Sequence, residues 1–287
     1  MRVLVTGAGG QLGWDLAAHC AARGDDVTAA DHAALDVGDH DAVYGAITSL
    51  APDVVLHAGA YTAVDACETE VDTAYRVNAL GTRWVADASR RVGAHLVYVS
   101  TDYVFDGTKA GPYVEWDRTG PASVYGASKL GGELEVAAHA PGASVVRTSW
   151  VCGEHGANMV RTVLRLADQP ELAFVDDQRG CPSFTADLAV GIRRLAAARA
   201  PGTYHMTNQG AVSWYEFVRD VLAAAGHDPG KARPITTAEL DPPRPAPRPA
   251  NSVLDNAALR LAGFPLLPPY QEPLARLVAA LQAEAGH

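Results

Sequence analysis

The residues Val3-Leu4-Val5-Thr6-Gly7-Ala8-Gly9-Gly10-Gln11-Leu12-Gly13 decide the fold. A short apolar run ends in a glycine turn, and the pattern Leu12, Leu16, Cys20 that follows has helical spacing. Gly7, Gly10 and Gly13 stand three residues apart. Gly7 permits the tight turn, Gly10 removes a Cβ where a pyrophosphate must come close, and Gly13 lets the helix lie against the strand. The helix start then offers free N–H groups and the positive end of its dipole to an anion. Glycines also serve plain tight turns, so it is their place between strand and helix that predicts a dinucleotide site. Asp31 ends the second such run, eighteen residues past Gly13. A carboxylate there can accept hydrogen bonds from a ribose 2′-hydroxyl and would repel a 2′-phosphate. The following His32-Ala33-Ala34 brings no arginine to hold that phosphate. NADH is therefore expected in preference to NADPH, unless Asp31 merely caps its loop.

Working outward, Val27-Thr28-Ala29-Ala30, Val54-Val55-Leu56, Leu96-Val97-Tyr98-Val99 and Val145-Val146 repeat the opening run. They do not alternate with polar residues, as expected of parallel strands covered on both faces. Between them, Val43, Ile47 and Leu50 share a helical face, as do Val77, Leu80, Trp84 and Val85. This alternation predicts right-handed crossovers and an α/β fold with a doubly wound parallel sheet of Rossmann type over residues 1–150. Past Trp150 the rhythm weakens. Helical patterns remain at 159–166, 188–195 and 214–224, separated by short apolar pieces such as Leu172-Ala173-Phe174-Val175. The proline-rich run from Asp241 to Pro249 lacks the N–H groups a helix needs and is expected to be extended. A last amphipathic helix carries Leu274, Leu277, Val278 and Leu281. Residues 151–287 are expected to form, in the main, a second and smaller α/β substrate domain, with the chain crossing between the two more than once.

Composition narrows the function. The chain has 287 residues, enough for one large domain or two joined ones. It is 48% apolar and 20% charged, which is ordinary globular composition. A net charge of −10 repels polyphosphates, so nucleic acid is not an expected partner. No apolar run is long enough to span a membrane, and Met1-Arg2 leads straight into the first strand, so a cytoplasmic location is expected. The four cysteines are scattered and read as small buried thiols. The ten histidines show no metal-ligand spacing.

Tyr125-Gly126-Ala127-Ser128-Lys129 places a phenol and an ammonium at i and i+4 on one helical face. A phenol with a pKa of about 10 moves protons poorly near neutrality, and a nearby ammonium lowers that value. This spacing alone often marks a solvated surface pair. Its companions Ser100-Thr101-Asp102-Tyr103-Val104-Phe105 close the fourth strand, and ligands of open α/β sheets bind beyond the carboxyl ends of strands. Thr101 is thus expected to hydrogen-bond a substrate carbonyl beside Tyr125, with Asn78 linking a water chain to Lys129.

These segments resemble the extended short-chain dehydrogenase/reductases and, more narrowly, the dTDP-4-dehydrorhamnose reductase family. The likeness extends to Ala60-Tyr61-Thr62-Ala63-Val64-Asp65, Arg147-Thr148-Ser149-Trp150, Asp177-Gln178-Arg179-Gly180-Cys181-Pro182 and Arg248-Pro249-Ala250-Asn251-Ser252, nearly the whole chain. It implies that Gly10, Gln11 and Leu12, with Gly7 in the same turn, touch the cofactor diphosphate. Asp31, Asp36 and Val37 would surround the adenosine, and Ala60, Tyr61 and Thr62 would follow the dinucleotide. Thr101, Asp102, Tyr125, Lys129 and Trp150 would meet the nucleotide sugar or nicotinamide. Arg248 either pairs with the substrate diphosphate or faces solvent. Cys152 and Cys181 depart from the family's usual aromatic and small residues. Some relatives hold Mg²⁺ through carboxylates at a dimer interface. Asp15 alone matches that set, so no metal is expected, and a homodimer is left open.

The implied reaction is NAD(P)H-dependent reduction of the C4 ketone of a dTDP-4-keto-6-deoxy sugar. Tyr125 acts as general acid, Thr101 holds the developing oxyanion, and Lys129 tunes the tyrosine and binds the nicotinamide ribose. Related dehydratases carry Asp-Glu after the threonine. Thr101-Asp102-Tyr103 lacks that glutamate. A 4-epimerase and a non-catalytic, dinucleotide-binding regulatory subunit are the other readings. Trp14, Trp84, Trp116 and Trp214 read as core or interface.

Overall fold

The computed structural model describes residues 1–285. Its main sheet contains β1 (Arg2–Thr6), β2 (Asp26–Ala30), β3 (Val54–His57), β4 (His95–Thr101), β5 (Ser144–Thr148) and β6 (Gly202–His205). Their order is β6-β5-β4-β3-β1-β2, and every neighbouring pair is parallel. The helices that cover it are α1 (Gln11–Ala22), α2 (His40–Leu50), α3 (Thr82–Val92), α4 (Val124–His139) and, after α5 (Met159–Leu166), α6 (Thr185–Ala198). This is a doubly wound, Rossmann-type α/β sheet.

Alternation along each strand splits the core into two layers. Val3, Val5, Leu56, Val97 and Val146 pack with Leu16 of α1 and with Leu188 and Ile192 of α6. Leu4, Val55, Leu96 and Val145 point the other way, onto Ile47 of α2, Val85 of α3 and Val136 of α4. Because helices bury both faces, the strands carry apolar residues at successive positions. From β1 the sheet grows toward β2 on one side and β3 on the other. The strand order therefore reverses at β1/β3, and the crevice at the carboxyl ends there is where such sheets bind ligands.

Strand β6 had no counterpart among the apolar runs in the sequence. Gly202-Thr203-Tyr204-His205 lacks an apolar stretch, and as an edge strand it pairs only with β5. The chain beyond residue 150 thus supplies both α6 and β6 to the main sheet. The remainder packs a second core in which Val160 and Val163 of α5, Phe217 and Val221 of α7 (Trp214–Ala224), and Leu274 and Val278 of α8 (Gln271–Ala285) meet. Leu172–Val175 is a strand here, parallel to Ala232–Ile235. A capping box fixes the start of α7: the Ser213 hydroxyl accepts from the Glu216 N–H and the Glu216 carboxylate accepts from the Ser213 N–H. The run from Asp241 to Pro249 is free of helix. Among the described residues no helix is long and apolar enough to cross a membrane. All four cysteines are buried free thiols.

Candidate active site

The site begins at the turn after β1. Gly7 has φ +70°, and a Cβ on it would lie 2.6 Å from Gly59 Cα. A Cβ on Gly13 would lie 2.1 Å from the Gly7 carbonyl oxygen. The turn and the first helical turn are therefore closed to any larger residue at these two positions. No side chain caps α1, so its first N–H groups stay available to an anion. These features fit the diphosphate of a dinucleotide.

A cavity of about 1040 Å³ runs from this turn along the carboxyl ends of the strands. Gly7, Gly10, Gln11, Leu12, Asp31, Val37, Ala60, Tyr61 and Thr62 line it, and so do Thr101, Asp102, Tyr125, Lys129 and Trp150. Two expected residues do not reach its wall. The Asp36 carboxylate turns to the Gly38 N–H at 2.8 Å and to Arg76. Arg248 makes a two-pronged ion pair with Asp65, at 2.6 and 2.8 Å, and also donates to the Ala246 carbonyl. Its side chain is only 14% exposed, tied to a partner 183 residues away in the chain.

Individual side chains show how the sequence builds the wall. One oxygen of Asp31 accepts the Ala34 N–H, so the carboxylate does cap its loop, while the residue still faces the cavity. The Gln11 amide donates to the Ala157 carbonyl and accepts from Asn158, tying the glycine turn to the segment before α5. Asn78, in a π-helical turn (Arg76–Gly81), accepts the Tyr61 N–H and donates to the Tyr61 carbonyl and the Ser128 hydroxyl. Both of its side-chain donors are used, so it holds Tyr61 on the wall.

Thr101, Asp102 and Lys129 are buried, and Tyr125 beside them on the cavity wall is half-buried. Lys129 Nζ donates to the Val99 carbonyl at 2.8 Å and lies 4.2 Å above the Tyr98 ring. Burial lowers its pKa to about 7, with the Glu133 carboxylate pulling it back up. Burial also pushes the Tyr125 phenol well above its usual value, and the Asp102 charge adds to that shift. The expected lowering of Tyr125 by Lys129 is outweighed: burial of the phenol, with the Asp102 charge, sets the direction of its shift. The Thr101 hydroxyl donates to Asp102 Oδ1 at 2.9 Å and accepts the Tyr103 N–H. Asp102 Oδ2 is buried without a hydrogen bond, and burial raises that carboxyl to about 6.

Trp150, two residues past the end of β5, has φ +46°. The left-handed region costs a bulky residue on the order of 1–3 kcal/mol, so its surroundings must hold it there. It stacks on Trp214, which also lines the cavity. Trp214 was missed in the sequence because nothing local separates an indole on a cavity wall from one in a core.

A family model described as "RmlD substrate binding domain" matches residues 1–283. The chain belongs to the RmlD family. Among its relatives, the spore coat polysaccharide biosynthesis protein SpsK of Bacillus subtilis is 40% identical, covering 92% of each chain. A dTDP-4-dehydrorhamnose reductase of Burkholderia thailandensis is 43% identical over 91% of this chain and 92% of its own. The crystal structure of dTDP-4-dehydrorhamnose reductase from Bacillus anthracis in complex with NADP superposes with a TM-score of 0.93 at 39% identity, covering 97% of this chain and 99% of that one. RmlD membership thus spans both the sheet and the second core. Among the described residues no three His, Cys, Asp or Glu side chains gather as a metal site.

Proposed function

We propose that this protein is a nicotinamide-dependent ketoreductase acting on C4 of a dTDP-4-keto-6-deoxyhexose, forming dTDP-L-rhamnose or a related deoxysugar nucleotide. The observation that carries this reading is the convergence of Tyr125, Lys129 and Thr101 on the cavity that the uncapped, glycine-gated helix also enters. The names of its close relatives support the substrate class.

Gly7, Gly10, Gln11 and Leu12 hold the dinucleotide diphosphate, and Ala60, Tyr61 and Thr62 flank its path. The dinucleotide, when bound, supplies the hydride. The chain's own part is to deliver a proton and to hold the oxygen that receives it. Tyr125, kept protonated by burial, gives its phenolic proton to the C4 oxygen, and Thr101 hydrogen-bonds the same oxygen as charge develops. Lys129 binds the nicotinamide ribose and favours the phenolate left behind. Asp102 and Trp150 contact the sugar, and residues 151–287 provide most of the nucleotide-sugar side of the cleft. The setting is the cytoplasm.

Asp31 on the cavity wall, with only alanines and His32 beside it, favours NADH, although a relative binds NADP. An assay with a dTDP-4-keto-6-deoxyhexose should show stoichiometric cofactor oxidation and a higher kcat/KM with NADH than with NADPH. An epimerase or dehydratase would oxidise no cofactor net, and a strong NADPH preference would overturn the role of Asp31.

The Lys129 ammonium gives a pH signature. With a pKa lowered by burial to about 7, the charge is present below that value and lost as pH rises through it. kcat/KM for the dinucleotide should therefore decline above about pH 7. In Lys129→Arg, whose charge persists, that decline should vanish even if the plateau is lower. A profile that bends identically in both proteins assigns the titration elsewhere.

A further inference from the structure

We propose that Trp214 is a specificity-determining residue: stacked on Trp150, it fixes the aromatic wall that meets the deoxyhexose end of the nucleotide sugar. The proposal rests on the substrate class argued above. Along the sheet, Asp31 follows β2, Thr101 follows β4 and Trp150 follows β5. A ketone at Thr101 and Tyr125, beyond β4, puts the hexose that carries it next to Trp150, beyond the neighbouring β5.

The two indoles lie 3.5 Å apart at an interplanar angle of 5°, so Trp214 covers one whole face of Trp150. Both rings are half-buried on the same cavity wall. Trp150 is held in the left-handed backbone region, which points to a side chain whose direction matters. Gly180 clears the space beside it: a Cβ there would lie 2.5 Å from Trp150 Cε2. Trp214 itself is anchored, because it is the first residue of α7 after the capping box and its ring reaches Phe217 at 6.2 Å. Phe217 in turn packs against Tyr270, deep in the second core.

A flat apolar wall of this kind suits the C–H surface of a sugar whose C6 is a methyl group. A hydroxymethyl in the same place would lose hydration without a partner. Trp214 stacks on Trp150 and not on the proposed proton donor. It acts through the position of Trp150, so its loss should change recognition of the sugar and leave recognition of the nucleotide alone.

The test compares calorimetric affinities for dTDP, dTDP-glucose and dTDP-6-deoxyglucose, the last two differing only at C6. The wild-type protein should prefer the 6-deoxy sugar. In Trp214→Ala that preference should shrink by about two- to tenfold, the range for an aromatic pair, with the affinity for dTDP unchanged. Trp214→Phe, which keeps a stacked ring, should recover part of it. Gly180→Ala, which pushes the Trp150 indole from its place, should repeat the loss with Trp214 intact, and so keeps the test alive if Trp214→Ala does not fold. An undiminished preference in folded variants, or an equal loss for dTDP, overturns the inference and leaves the substrate class standing. A wild-type protein that binds none of the three removes the substrate class, and the inference with it.

Discussion

Tyr125→Phe should lower kcat by roughly 10²- to 10⁴-fold, the usual worth of a positioned general acid, with little change in KM. Hydride addition to a ketone gives an alkoxide, and one proton must arrive for each turnover. Tyr125 lies on the cavity wall with Thr101 and Lys129, and burial holds its phenol in the protonated form across the neutral range. Phenylalanine keeps the ring, including its edge-to-face contact with Tyr103 at 5.6 Å, and removes only the proton donor. Binding of both ligands should survive, so the loss should be confined to the chemical step. Steady-state kinetics with the 4-keto sugar, supported by dinucleotide affinity from fluorescence, reads both quantities. Unchanged turnover would remove Tyr125 from the mechanism, and Asp102, whose carboxyl is raised to about 6, would become the donor to examine.

What could be read in the sequence is what short-range periodicity encodes. The glycine turn joins neighbours in the chain, and the runs of β1, β3, β4 and β5 are apolar because helices cover both faces. Strand β6 escaped notice for the opposite reason, since an edge position tolerates Gly202-Thr203-Tyr204-His205. Contacts between distant segments were equally silent. Arg248 could not be matched to Asp65 from sequence, nor Trp214 to Trp150, nor Gln11 to Asn158. Each such pair depends on how the second core docks on the first. The protonation states were illegible too: the spacing of Tyr125 and Lys129 suggests mutual tuning, whereas burial dominates both. A four-residue spacing reports proximity but carries no information about desolvation.

Glu133→Gln should be the most destabilising of the conservative substitutions near the site, and it should also move the pH profile. Glu133 on α4 accepts two hydrogen bonds from Arg147 of β5, at 2.9 and 2.7 Å, and a third from the Ser100 hydroxyl at 2.6 Å. The two side chains are only 8% and 7% exposed. Removing one partner of a buried pair strands the other's charge, at a cost of about 3–5 kcal/mol. For a chain of this size that corresponds to a fall in melting temperature on the order of 10 °C. Replacing both with methionine, which leaves no stranded charge, should restore much of the loss, and that recovery separates a charge effect from a packing effect. The second consequence runs through Lys129, whose charged form Glu133 supports. Without that carboxylate the ammonium is lost at lower pH, so the decline in kcat/KM for the dinucleotide should begin below 7 in Glu133→Gln. A destabilised variant whose pH profile stays in place would mean that Glu133 serves the fold alone. A shift without destabilisation would mean that solvent already screens the Arg147 pair. Both changes together are expected, because one carboxylate sits between the helix that carries Lys129 and the strand that carries Arg147.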